Sequence, residues 1–227
     1  PLIGTGHQAG FWHPGVLAKL FAADAAATSL GARAFWIIPD QDDEPPEVLS
    51  VPTIGPDGAL RREGVNLRGA HAGALVGVAA GSRKPIDPGR PKLDGRPALA
   101  SVEAGLDAII DALRAQIGDP TLARQATNAA FLLTNPLVSR ATVIASSDLN
   151  RTTLFQNLLD RLRAEPDRAL DAYERAARAH PQSGVLPLAG GREPGRRETP
   201  FWRLAPGEPR RRVTLEDLET VNAVELA

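Results

Sequence analysis

The chain has 227 residues, 27 acidic against 26 basic side chains and 43% hydrophobic residues, the make-up of one large globular domain or one domain with an appendage. A net charge of -1 lacks the basic footprint of a general nucleic-acid binder, and the run Arg210-Arg211-Arg212 reads as solvated surface. The absence of cysteine excludes disulfides, cysteine zinc sites and a thiol nucleophile, and it fits a reducing, cytoplasmic setting.

No apolar stretch reaches the roughly 18 residues that would suggest a membrane span. The start, Pro1-Leu2-Ile3, lacks the order of a signal peptide. The chain begins with Pro, contains no Met and stops in the helical-looking Val224–Ala227, so it reads as part of a longer protein.

Leu2-Ile3 reads as a very short first strand that opens into a glycine turn over Gly4–Gly10. Pro14 suits the first turn of a helix, and Leu17, Leu20 and Phe21 carry its period until Gly31 stops it. Ala34–Ile38 is a continuous apolar run and predicts a buried strand. Strand, glycine turn, helix and strand make a βαβ unit, and hence a parallel sheet.

Glu47–Ile54 and Ala59–Leu67 predict two strands joined at Pro56-Asp57-Gly58. Residues 81–97, rich in Gly, Pro, Lys and Arg, predict a long mobile loop. Helices follow at Val102–Ile117 and Pro120–Leu133, then a strand at Ala141–Ala145. Helices are expected around Leu154–Leu162 and over Asp167–Ala179, ended by His180-Pro181. Short strands are expected at Val185–Leu188, Phe201–Leu204 and Arg211–Thr214, then a helix from Thr214 with Asp217 three residues on. The expected organisation is a Rossmann-like α/β core over 1–165 and a C-terminal extension over 166–227.

The segment Gly4–Gly15 is the candidate site, with four glycines and two histidines ahead of a helix. Glycines admit a close ligand, and a helix start offers the N–H groups of Gly15, Val16 and Leu17 to an anion. A parallel sheet presents ligands at its carboxyl strand ends. If the first and third elements are neighbours, Thr5, Gly6, His7, Gln8, Gly10 and His13 face Asp40 and Asp42 across one cleft. His7 and His13 would carry charge or protons, and Asp40 would orient a reacting group. Alternatively His7 is a structural histidine and His13 an N-cap. Ser147, Asp148 and Asn150, after the Ala141–Ala145 strand, are ligand-edge candidates or helix caps. No pair of histidines has metal-ligand spacing, and His71 reads as a loop residue.

Thr5-Gly6-His7-Gln8-Ala9-Gly10-Phe11, then Gly15, a helix, and Phe35-Trp36-Ile37 leading to Asp40-Gln41-Asp42-Asp43, resembles the opening of the BshC family. BshC is the cysteine-adding ligase of bacillithiol biosynthesis. The likeness covers about the first quarter of the chain. His7 stands where the family has Gln, and Asp42 where its acidic cluster has His, so the resemblance implies a divergent BshC-like protein. A weaker likeness, over the first twenty or so residues, is to WbqC-like proteins.

The BshC resemblance implies a nucleotidyltransferase-like core and a ligase or transferase joining an amino compound to an activated centre. The expected partner is a small molecule of nucleotide, amino-sugar or amino-acid type, with no nucleic acid and no membrane. The cofactor stays open, as does a homo-oligomer. The competing expectation is a non-catalytic binding or scaffold protein on the same fold.

Overall fold

A computed structural model describes residues 1–68, 77–134, 141–183, 188 and 197–226. His71 and the strand expected from Val185 to 187 lie outside them. The chain divides into two compact units, Pro1–Ser146 and Ser147–Ala227.

The N-terminal unit is mixed α/β. Its first sheet is parallel, with β1 (Leu2–Gly6) and β6 (Thr142–Ala145) flanking β2 (Arg33–Ile38). Helix α1 (Pro14–Ser29) joins β1 to β2, as the βαβ reading expects, with Pro14 in its first turn and Gly31 (φ 59°) just past its end. The strand runs longer than expected. Gly4, Thr5 and Gly6 pair with Phe35, Trp36 and Ile37, so the anticipated turn begins only at His7. Neighbouring β2 overrides the turn preference of glycine here, and Gly6 is needed because a Cβ would run into the Ile37 carbonyl.

Strand β2 alternates. Ala34, Trp36 and Ile38 are buried, whereas Ile37 is 40% exposed. The continuous apolar run therefore fills one face only, against Val16 and Leu20 of α1. Trp36 also packs with Trp12 and Phe131, at centroid separations of 4.7 and 6.2 Å.

A second sheet is antiparallel. Strand β3 (Val48–Ile54) is central between β4 (Leu60–Asn66) and the two-residue β5 (Arg96–Pro97). The expected turn joins β3 to β4, with Gly58 at φ 77°. Helices α2 (Ala100–Ala115) and α3 (Leu122–Thr134) pack around Ile110, Leu113, Leu122 and Ala126. Residues 81–97 are irregular but tied down, not a loose loop. Arg83 and Ile86 are buried, and Gln125 bonds to both the N–H and the carbonyl of Ile86 at 2.8 and 2.7 Å.

The C-terminal unit opens with the one-turn helix α4 (Ser146–Leu149), across which the division falls. Then come α5 (Thr153–Ala164), α6 (Pro166–Ala179), the hairpin β7 (Glu198–Arg203) with β8 (Arg211–Thr214), and α7 (Leu215–Thr220). Leu159 and Leu162 of α5 share a core with Leu170, Val213, Leu218 and Leu226. That shared core puts the division before α5, earlier than the expected boundary at 165. His180 caps the end of α6. Thr214 and Asp217 form the anticipated capping box. Arg211 lies 2.8 Å from Asp217 and, as the largest influence, holds that carboxyl down at about 2. Arg210 and Arg212 lie over the Trp202 ring, at 5.0 and 4.1 Å. No helix among the described residues is long and apolar enough to cross a membrane.

Candidate functional site

The carboxyl ends of β1, β2 and β6 lead into His7, Asp40 and Ser146, which is the rim the parallel topology predicts. Apart from the His7 ring, its polar groups are already engaged. Asp40 is 2% exposed and accepts a 2.8 Å hydrogen bond from the Ser146 hydroxyl. Its carbonyl accepts from the Gly81 N–H at 2.6 Å, and a side chain at Gly81 would collide with its carboxylate. Asp40 thus fastens β2 to β6 and to the 3-10 turn Ala80–Ser82, and is not presented to a ligand as expected.

Asp42 is half-buried and accepts from the Gln8 side chain at 2.8 Å and the Glu44 N–H at 3.2 Å. Burial pushes its carboxyl up, but these donors outweigh that and leave it below the usual carboxylate range. The Asp42–Gln8 bond anchors the loop His7–His13. The same loop is held by the His7 N–H on the Ile37 carbonyl, at 3.2 Å, and by the Trp12 indole on the Gln8 carbonyl, at 2.9 Å. Gly10, buried at φ 140°, turns the loop beside Pro46.

The helix entrance is closed to anions. The His13 Nδ1 accepts from the Gly15 N–H at 3.1 Å, and the His13 carbonyl takes the N–H groups of Val16 and Leu17 at 2.9 and 3.2 Å. The donors expected to be free are therefore spent on the cap, and His13 is an N-cap residue. Because its Nδ1 accepts, the neutral ring carries its proton on Nε2.

Behind this loop lies a cleft of about 570 Å³, within the range of small-molecule sites. His7, Gln8, Gly10 and His13 line it, so four of the expected residues come together. Val51, Val102, Leu106 and Ile109 add apolar surface, and Glu44, next to the Asp40–Asp43 cluster, adds a carboxylate; Ser50 and Arg62 add polar groups that sequence reasoning missed. The contribution of Ser50 and Arg62 depends on the β3–β4 register, which no local motif carries. The His7 side chain has no hydrogen-bond partner among the described residues, and neither has the Arg62 guanidinium.

Thr5, Gly6, Gly15, Asp40 and Asp42 are not on the cleft wall. Ser147, Asp148 and Asn150 belong to the C-terminal unit. There Asn150 is buried, donates to the Leu226 carbonyl, and accepts from Gln156 at 3.2 Å. The cap of α5 is Thr152, bonded to the Phe155 N–H at 3.3 Å, not one of the Ser, Asp or Asn candidates.

Next to the cleft, Glu47 is buried between two guanidinia, with Arg68 at 2.8 Å and Arg83 at 3.2 Å. Among the described residues, no three His, Asp or Glu gather in a metal-binding group. No protein family, curated protein or solved structure matches the chain.

Proposed function

We propose that the N-terminal unit binds a small molecule in the cleft behind the His7–His13 loop, as a divergent BshC-like protein with a Rossmann-like, nucleotidyltransferase-like core. One observation carries this reading. The glycine and histidine segment on which the resemblance rests forms one wall of a cleft of about 570 Å³. The ligand class is a nucleotide, an amino sugar or an amino acid. A BshC-like step would form a C–N bond there between an amino compound and an activated carbon or carboxyl centre, with the activating group leaving as that bond forms and the amine giving up a proton. His7, whose ring is uncommitted, would move the proton, and His13 would donate a hydrogen bond from Nε2.

The second reading is a non-catalytic binding protein. The burial of Asp40 and the engagement of the α1 amide groups favour it, since both remove groups that a bond-forming step would use.

The test is a thermal-shift series with AMP, glucosamine and L-cysteine, on the native chain and on Gly105→Leu. Gly105 lies on α2 in the cleft wall, exposed, with no atom within 4 Å of where a Cβ would stand. Leucine there adds helix propensity, about 0.5–1 kcal/mol, while filling the cleft. The expected outcome is a melting point equal to or above native, with ligand stabilisation lost. Stabilisation that persists in Gly105→Leu overturns the assignment of the cleft. Catalysis is then separated from binding by assaying bond formation in His7→Ala.

A further inference from the structure

One wall of the cleft is an open sheet edge. In the β3–β4 ladder the Leu67 N–H donates to the Glu47 carbonyl at 3.0 Å, and the Gly55 N–H to the Ala59 carbonyl at 3.0 Å. An antiparallel ladder bonds alternate residues, so Leu49, Val51 and Thr53 turn their backbone groups to β4. Val48, Ser50, Pro52 and Ile54 turn theirs the other way. On that side β5 covers only the far end. The Ala98 N–H reaches the Pro52 carbonyl at 3.1 Å, and Ile54 stands opposite Arg96. The Val48 N–H bends back to the Pro45 carbonyl at 3.1 Å. Among the described residues this leaves the Val48 carbonyl, and both the N–H and the carbonyl of Ser50, without a partner. Val48, Ser50 and Pro52 all line the cleft, and Ser50 is exposed.

Such an edge is a template for another extended backbone. Pro52 offers no N–H, so the donor is Ser50 alone, with acceptors at Ser50 and Val48. One ligand residue laid antiparallel opposite Ser50 exchanges both hydrogen bonds with it, which is the unit of strand addition. The stretch Val48–Pro52 offers about 13 Å of edge at 3.3–3.4 Å per residue.

The charge on this wall narrows the occupant. Arg62 stands opposite Pro52 in the register, on the same sheet face, and lines the cleft. Arg61 is matched with Asp57 at 2.6 Å, and Arg68 and Arg83 with Glu47, while Arg96 of β5, also without an ion pair among the described residues, is not on the cleft wall. Arg62 has no ion-pair partner among the described residues. A guanidinium beside an apolar floor suits a carboxylate on a mostly apolar body.

We infer that the cleft takes a short, extended, peptide-like ligand. It adds as a strand to β3 through Ser50, and its carboxylate meets Arg62. This rests on reading the cleft as the binding site, and it puts a peptide there in place of the nucleotide, amino sugar or single amino acid proposed above.

The experiment uses the full chain, isotope-labelled, with three probes: a mixed-sequence tripeptide library with free C-terminal carboxylates, the same library amidated at the C-terminus, and AMP. Calorimetry reads affinity, and amide hydrogen exchange reads the Ser50 N–H. The free-acid library is expected to bind and to slow Ser50 exchange at least about tenfold. Amidation, or Arg62→Gln, should weaken binding about tenfold. Ser50→Pro removes the only edge donor without breaking the β4 ladder and should abolish binding. If that variant fails to fold, a tripeptide library N-methylated at its central residue gives the same test from the ligand side.

Peptide binding that Gly105→Leu blocks, with Ser50 exchange unchanged, overturns strand addition and leaves the cleft reading standing. AMP binding in the cleft without peptide binding does the same. Binding unaffected by Gly105→Leu, or no binding by any probe, overturns both.

Discussion

The strand-end rim and the cleft behind the loop share one border, His7–His13, yet they use polar side chains in opposite ways. At the rim Asp40, Asp42 and His13 each have a structural partner. Asp40 accepts from Ser146, Asp42 from Gln8, and His13 from the α1 amide of Gly15. In the cleft, His7 and Arg62 are uncommitted among the described residues, and Ser50 presents a bare backbone edge. Buried polar groups must be satisfied, so satisfied groups report on stability. Uncommitted groups at a concave surface report on binding. Variants at the rim and beside the cleft should therefore move melting points, whereas variants on the cleft wall should move affinity.

The strongest challenge to that division is Glu47→Ala. It strands two guanidinia, one of them 3% exposed, and should cost about 3–5 kcal/mol in denaturant unfolding. A loss below about 1 kcal/mol would show that the arginines relax into solvent. Asp40→Ala comes next, at about 1–3 kcal/mol, since it orphans the partners of a buried carboxylate. Ligand affinity, measured well below the melting transition, should not change. A selective loss of affinity would return Asp40 to the site.

His13→Ala should cost about 1 kcal/mol, and His13→Asn should recover most of it, because both His and Asn side chains can accept the amide of Gly15. Recovery of stability without recovery of turnover would give His13 a chemical role beyond the cap. The smallest effect is expected from acid. The Asp42 carboxyl lies below its usual value of 3.8, so its contribution is complete above that pH and declines as the pH falls through its lowered value. Loosening of the loop, followed through the Gln8 side-chain amide signals, should appear only below pH 3.8. Loosening well above that pH would mean that another group holds the loop.

The βαβ order was legible because its signals are local: Pro14 at a helix start, Gly31 at its end, and an apolar run for β2. The capping box at Thr214 and Asp217 was legible for the same reason. What escaped depends on partners distant in sequence. Gly4–Gly6 looks like a turn until β2 lies alongside it. Residues 81–97 look loose until Gln125 and Glu47 take hold of Ile86 and Arg83. The strand-end rule located Asp40 correctly, but not its burial beneath Ser146 and Gly81. Of the site itself, the loop was readable and the opposite wall was not. Ser50 and Arg62 become neighbours only through the pairing of β3 with β4.

The stacked rings near the loop also supply an optical reporter. Trp12 lines the cleft while lying 4.7 Å from Trp36, which is wholly shielded from water. A guest that nudges the outer indole changes both its polarity and its coupling to the inner one, so intrinsic emission should register occupancy without any dye. The remaining tryptophan, Trp202, belongs to the C-terminal unit beneath two guanidinium groups, which supplies a background emitter removable by Trp202→Phe.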